Sequence, residues 1–170
     1  VGDIVDRARG SDAQDVDTIL LGSGRIDESV VIKKKQIQLL GVGPGFTLLY
    51  GKHKHKPVVA VGKEGSAEIS MMTITNGEDG VLVEKGGSAK LRNLILMGLV
   101  NGVHLEKEAT ADLLNLTISD NAKHGVWLEP KDKKGDFTLT GRNNILSFNG
   151  GYGLLAPEHG DTVYSFSYSD

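Results

Sequence analysis

Three glutamates recur at nearly regular spacing in the middle of the chain. Glu84 and Glu106 are 22 residues apart, and Glu129 follows 23 residues later. Carboxylates held in one row repel one another, so their pKa values rise or a cation such as Ca²⁺ binds between them. Two carboxylates about 5 Å apart also match a retaining glycosidase. The three glutamates are the candidate catalytic residues, and apart from Ca²⁺ at this row no cofactor or metal is indicated.

The same row can also be an exposed, solvated ladder. Lys63, Lys85 and Lys107 follow directly after the repeated position. Such lysines neutralise neighbouring carboxylates, and water screens the remaining charge. Both interpretations of the row stay open at this stage.

The only tryptophan suggests a binding function. Trp127 stands where the earlier copies of the same motif have His104 and Leu82. An indole exposed beside an imidazole can stack on the apolar face of a sugar ring, so these three are the candidate substrate-binding residues. Alternatively, the indole covers apolar surface next to the charged segment 131–136. No serine or aspartate is expected to partner His104 in a triad.

These residues belong to a repeat of about 22 residues. Segments 80–84, 102–106 and 125–129 read GVLVE, GVHLE and GVWLE, and segment 89–96 aligns with 111–118 at the same offset. Self-similarity at a fixed period is the signature of a solenoid. Equivalent positions in successive copies should therefore lie above one another.

Within one copy, apolar residues alternate with polar ones, which is the period of a half-buried strand. The alternation slips at Asn93 and again at Asn115. Asparagine tolerates the left-handed backbone that a corner needs, and its amide can bond to an asparagine one rung away. We expect three strands per rung, parallel pairing about 4.8 Å apart, and an asparagine ladder at this corner.

The sequence predicts an all-β fold, a single-stranded right-handed parallel β-helix that forms one domain over residues 1–170. Ile4, Val5 and Ala8 have helical spacing, so a short capping helix is expected within 1–15. Rungs should fill 16–160, and 161–170 should form a terminal strand or cap. Its alternating aromatic residues either close the solenoid or mediate self-association or contact with a protein partner: Tyr164, Phe166 and Tyr168.

Composition excludes several classes of function. The net charge of −3 argues against a nucleic-acid partner, and no apolar run is long enough to span a membrane. The chain has 0 cysteines, so disulfides and thiolate chemistry are excluded. It begins at Val1 rather than Met, which is compatible with a removed export signal and an extracellular or periplasmic location.

Two parts of the chain resemble known β-helix families. Segments 24–32 (GRIDESVVI) and 39–47 (LLGVGPGFT) resemble the first rungs of pectin methylesterases and other pectate-lyase-like proteins. The later rungs, especially 120–128 (DNAKHGVWL), resemble the repeats of the carbohydrate-binding and sugar-hydrolase class, including the periplasmic copper-maturation type. The resemblance covers nearly the whole chain, but it rests on positions that a solenoid needs for turning and packing.

The catalytic sets of those enzymes do not carry over. The resembled esterases use aspartates, an arginine and glutamines, and the lyases use calcium-binding aspartates with an arginine or lysine base. Two outward columns are predicted here, and they contain neither aspartate nor arginine. One holds Leu82, His104 and Trp127, and the other holds Glu84, Glu106 and Glu129. We expect a non-catalytic domain that binds a polysaccharide or glycan. The alternatives are a glycoside hydrolase or polysaccharide lyase that uses the glutamate row, and a structural solenoid that docks a protein.

Overall fold

The computed structural model describes residues 16–129, 136–157 and 163–167. The cap predicted within residues 1–15 lies outside this part of the chain, as do Tyr168 and most of the segment 131–136. The strands in the described ranges are β1 (Asp17–Leu20), β2 (Gly24–Asp27), β3 (Val30–Ile32), β4 (Gln36–Leu40), β5 (Thr47–Tyr50), β6 (Val59–Val61), β7 (Ser66–Thr75), β8 (Asp79–Val83), β9 (Ser88–Met97), β10 (Asn101–Leu105), β11 (Thr110–Leu114), β12 (Thr117–Ser119), β13 (Val126–Leu128), β14 (Thr138–Arg142), β15 (Ile145–Ser147), β16 (Leu154–Leu155) and β17 (Val163–Ser167).

The strands wrap into a solenoid with three faces, and all of the strand pairs described are parallel. The first face has the order β1-β4-β7-β9-β11-β14-β17, and the second has β2-β5-β7-β9-β12-β15. Strands β7 and β9 serve both faces because they continue through the corner between them. The third face has the order β3-β6-β8-β10-β13-β16. The prediction of an all-β parallel β-helix is confirmed.

Rung length varies along the solenoid. Ser66 pairs with Ser88, and Ser88 with Thr110, which gives 22 residues per rung in the middle of the chain. Thr110 then pairs with Thr138, so the next rung has 28 residues. The sequence repeat is therefore clear in the middle rungs and weaker on either side of them.

Columns of aliphatic side chains fill the interior. Val83, Leu105 and Leu128 stand in register on the third face, and each is fully buried. Leu91 and Leu113 form an equivalent column on the first face. Burial of such side chains supplies about 1.5–3 kcal/mol each relative to exposure in water, which makes this core the main source of stability.

The asparagine ladder lies at the corner between the first and second faces. Asn115 Nδ2 donates to Asn93 Oδ1 at 3.1 Å, as predicted, and Asn143 Nδ2 donates to Asn115 Oδ1 at 3.3 Å. The φ angles of Asn93, Asn115 and Asn143 are 51°, 56° and 54°. Each residue therefore satisfies both the left-handed backbone of the corner and the side-chain bond to the next rung.

The next corner uses buried asparagine and glycine. Asn121 Nδ2 donates to Asn149 Oδ1 at 2.9 Å, while Asn121 Oδ1 accepts from the Leu99 N–H at 3.1 Å. Close by, a Cβ added to Gly102 would lie 2.6 Å from the Gly125 carbonyl oxygen of the following rung. The glycine that begins each copy of the repeat is thus required by the close approach of adjacent rungs.

Strand β17 continues the first face at the C-terminal end. It pairs in parallel with β14, and Tyr164 and Phe166 are in register with Leu139 and Gly141. The backbone of this segment is therefore a terminal strand added edge to edge. Closure of the solenoid by its aromatic residues, and self-association through them, stay predictions.

Replacement of Asn115 by alanine should lower the free energy of unfolding by roughly 1–2 kcal/mol, because alanine disfavours positive φ and removes two ladder hydrogen bonds. Asn115→Gly also loses both bonds but tolerates the backbone conformation, so it should cost less. Urea denaturation of both variants measures the difference. An alanine variant as stable as the glycine variant would contradict a contribution from backbone conformation.

Candidate functional site

The third face carries the column that contains the predicted binding residues. Strand pairing places His104 in register with Leu82 on one side and with Trp127 on the other. Trp127 is followed by Leu155, and Leu82 is preceded by Ala60. The sequence therefore predicted the order of Leu82, His104 and Trp127 in this column correctly.

Solvent exposure in the column differs from the prediction. His104 is only 8% exposed, and its ring stacks on Trp127 with centroids 4.2 Å apart and planes inclined by 19°. Trp127 and Leu82 are half-buried. Side chains one rung apart stack face to face, so the indole face proposed to hold a sugar is covered by the imidazole. The prediction of an exposed His104 and an open indole face beside it is wrong for this reason.

His104 lies between two carboxylates on different rungs. Its Nδ1 is 3.0 Å from Asp79 Oδ2, and its Nε2 is 3.4 Å from Glu129 Oε2. Asp79 is 4% exposed, and its other oxygen accepts from Asn101 Nδ2 at 2.9 Å. Sequence analysis therefore missed Asp79 as the partner of His104. Asp79 begins β8, in register with Asn101, and reaches the histidine diagonally across the rungs.

Two buried polar atoms of this group have no hydrogen bond within the described ranges. They are His104 Nε2 and Asn101 Oδ1. Nε2 lies within ion-pair distance of Glu129, but the geometry does not make a hydrogen bond. A buried polar atom left unpaired costs about 1–3 kcal/mol, and native proteins keep few of them, often at functional sites. This group is therefore the strongest candidate site on the third face.

Aromatic rings extend the site toward the C-terminal end. The ring of His124 lies 6.3 Å from that of Trp127, and the ring of Tyr152 stacks on His124 with centroids 5.9 Å apart. Tyr152 is 62% exposed. We call His104, Trp127, His124 and Tyr152 the ring cluster. Sequence analysis missed Tyr152 because it lies 28 residues after His124, beyond the regular 22-residue repeat.

His124 is held in its neutral form by its surroundings. Partial burial lowers its pKa, and the charge of Lys123 lowers it further. Its Nδ1 accepts a hydrogen bond from the Tyr152 N–H at 3.2 Å, which requires an unprotonated Nδ1. The Nε2–H of the neutral ring is then a donor that remains available for other contacts.

The glutamate row runs beside the ring cluster. The N–H groups of Glu106 and Glu129 donate to Val83 O and Leu105 O, each at 2.9 Å, which shows that the two glutamates lie on successive rungs. Glu84 occupies the preceding rung, 3.8 Å from Lys33 Nζ.

Two of the three lysines expected to neutralise the row pair with other glutamates. Lys85 Nζ pairs with Glu108 at 3.3 Å, and Lys63 Nζ pairs with Glu64 at 3.9 Å. It is the backbone N–H of Lys85 that contacts the row, donating to Glu106 Oε2 at 3.1 Å. The row therefore contacts Lys33 and a backbone donor and lies beside His104, and a catalytic role for it stays a prediction.

Ligand groups for a metal do not converge in the described part of the chain. No three side chains of histidine, aspartate or glutamate come together there as a metal site requires. Binding of Ca²⁺ at the glutamate row stays a prediction. Within the described ranges, no helix is long and apolar enough to cross a membrane.

Comparison with known proteins identifies the class of the protein. The family model for right-handed β-helix regions matches residues 52–165. The chain therefore belongs to the right-handed β-helix family, which agrees broadly with the carbohydrate-related proteins that its sequence resembles. No curated protein and no solved structure matches it significantly.

Acidification should destabilise the protein through His124. Because the pKa of His124 is lowered by folding, the unfolded chain binds more protons as the pH falls through about 6.5, and the free energy of unfolding decreases until the folded-state pKa is passed. Denaturation at several pH values between 7.5 and 5 should show a smaller decrease for His124→Gln than for the wild type. The control His53→Gln changes an exposed histidine elsewhere, and an equal change of slope in both variants would contradict the assignment.

Proposed function

We propose that the third face binds a polysaccharide or glycan, with Tyr152 as the stacking platform. The Tyr152 ring is covered on one side by His124, and its 62% exposure leaves the other side accessible. The apolar face of a pyranose fits against such a ring. We therefore assign to Tyr152 the stacking on a sugar ring that the sequence suggested for Trp127, with the edge of the indole as a further contact. The exposure of the Tyr152 ring is the observation that supports the proposal.

Polar groups beside the platform suit sugar hydroxyls. The side chain of Glu129 is 29% exposed and can accept hydrogen bonds, while His124 can donate from Nε2. Glu129 is approached from beneath by His104, which Asp79 orients through Nδ1. Polar groups held in place before the ligand arrives reduce the entropic cost of binding.

The charge of the face selects the class of glycan. Glu84, Glu106 and Glu129 make this surface acidic, and like charges across an interface suppress binding. The ligand of the third face is accordingly a neutral polysaccharide rather than a polyuronate. Such a ligand suits the extracellular or periplasmic location that we propose for the protein.

Tyr152→Ala should reduce affinity for a neutral polysaccharide about fivefold or more, because a stacked aromatic ring supplies about 1–3 kcal/mol of binding free energy. The fluorescence of Trp127, the only tryptophan, reports binding during titration with neutral and acidic polymers. Phe148→Ala is the matched control, since Phe148 is an aromatic residue with 86% exposure and no described ring contact to the cluster.

The binding titration has a clear negative outcome. Saturable binding that is lost in Tyr152→Ala and retained in Phe148→Ala supports the proposal. Equal affinities in the wild type and Tyr152→Ala would contradict the role of the platform. Absence of any response to the whole panel would contradict glycan binding on this face.

A glycoside hydrolase is the second candidate, favoured by the position of His104 between Asp79 and Glu129. A carboxylate beside an oriented imidazole can act as an acid or base, and Glu106 on the adjacent rung can serve as nucleophile. Glu129→Gln and Glu106→Gln should then each lower the release of reducing ends at least 100-fold, with binding retained. Glu68→Gln, on the first face, is the control for the change of charge. Undiminished turnover in both test variants would contradict this candidate.

A further inference from the structure

The first face carries a shallow polar cleft that is separate from the ring cluster. It has a volume of about 260 Å³ and is lined by residues of β11, β14 and β17: Asp112, Thr140, Gly141, Arg142, Ser165 and Ser167. The register places Asp112 beneath Thr140, and Thr140 beneath Ser165. A second column places Arg142 beneath Ser167. Two neighbouring outward columns therefore form this cleft.

A hydrogen-bond network between rungs fixes the floor of the cleft. Arg92 forms a salt bridge with Asp112 through Nη2, and its Nη1 donates to the Asp112 carbonyl oxygen at 2.9 Å. The hydroxyl of Thr140 donates to Asp112 Oδ1 at 2.7 Å. Both carboxylate oxygens of Asp112 are thus occupied. Arg92 is largely buried, with a side-chain exposure of 19%, so this network is a rigid part of the face.

The carboxylate of Asp112, in the floor of the cleft, is ionised, and the salt bridge with Arg92 balances its charge. Partial burial acts to raise the pKa of Asp112, but hydrogen bonds from Thr140 and Arg92, with the charges of Arg92 and Arg142, lower it below its ordinary value. The salt bridge with Arg92 therefore neutralises the carboxylate that lines the cleft, and the guanidinium of Arg142 remains. The net charge of the cleft is positive, in contrast to the acidic third face.

Arg142 gives the cleft a binding group. It is exposed, whereas Arg92 is used in the network with Asp112. A guanidinium presents paired N–H donors in a plane that matches two oxygens of a carboxylate, sulfate or phosphate group. The hydroxyl of Ser165, also exposed, lines the same cleft and can donate to an oxyanion.

We propose that this cleft binds an oxyanion, with Arg142 as the principal ligand and the hydroxyl of Ser165 as a second donor. The Arg92–Asp112–Thr140 network holds the floor and neutralises the carboxylate of Asp112, which would otherwise repel the bound anion. The chemistry is shared by the carboxylate of an acidic sugar, the sulfate of a sulfated sugar and free phosphate. This site does not depend on binding of a neutral glycan at Tyr152.

The test is a titration of the intact chain with galacturonate, inorganic sulfate and inorganic phosphate as separate probes, followed by the NMR signals of Arg142 and Ser165. Saturable shifts of both residues with at least one probe are expected. The probe that binds distinguishes a planar carboxylate from a tetrahedral anion. Absence of shifts with all three probes would overturn the proposal.

Variants separate a specific site from general attraction of anions. Arg142→Gln should weaken binding at least tenfold, and Arg142→Lys should weaken it less, since lysine keeps the charge but loses the paired donors. Lys54→Gln removes the same charge from an exposed position elsewhere and should leave affinity within about twofold. Equal losses in Arg142→Gln and Lys54→Gln would overturn the proposal.

Two further measurements complete the design. The thermal midpoint of Arg142→Gln should match that of the wild type. If it is lower, Arg142→Lys replaces Arg142→Gln, and a loss of affinity equal to that of Lys54→Gln would then overturn the proposal. Tyr152→Ala should bind the oxyanion with unchanged affinity. Loss of oxyanion binding in Tyr152→Ala would contradict two separate sites, whereas loss of glycan binding alone would leave the cleft intact.

Discussion

Parallel pairing between successive rungs is the constraint on which the rest of this structure depends. Each strand bonds through its backbone to the equivalent strands of adjacent rungs, as β10 does with β8 and β13. The alternating pattern of side chains must therefore keep the same phase in every rung, because a slip of one residue would turn the core outward. A position that recurs in the sequence consequently becomes a column of side chains in space.

The chemistry of a column depends on whether its side chains satisfy one another. Asparagine can, because its amide both donates and accepts, and the corner at Asn93, Asn115 and Asn143 forms a continuous ladder. Glutamate cannot, because ionised carboxylates only accept. The row therefore has a different neighbour at each rung: Lys33 near Glu84, the Lys85 N–H bonded to Glu106, and the imidazole of His104 near Glu129. The group of His104, Asp79 and Glu129 thus lies where a regular column of glutamates would otherwise accumulate negative charge.

The sequence predicted what the columns contain, but not the contacts between columns. The repeat was enough to place His104 beneath Trp127 and to pair Asn93 with Asn115. It could not reveal Asp79 as the partner of His104, because that contact crosses both a column and a rung. It also missed Tyr152 and Asn143, whose rung is six residues longer than the 22-residue repeat. Burial of His104 was missed because period-2 alternation says which side of a strand faces outward, not which neighbouring ring covers it.

The three faces can carry independent chemistry because apolar residues separate them. Side chains that point inward, such as Leu105 and Leu113, are fully buried and apolar, so they hold the outward columns of the different faces apart. The acidic row on the third face and Arg142 on the first face can therefore keep opposite charges. Since each outward column can change without altering the core pattern, a right-handed β-helix can keep its fold while one face binds neutral surfaces and another binds anions. The match of the chain to the right-handed β-helix family consequently identifies the fold, while function must be argued from individual columns.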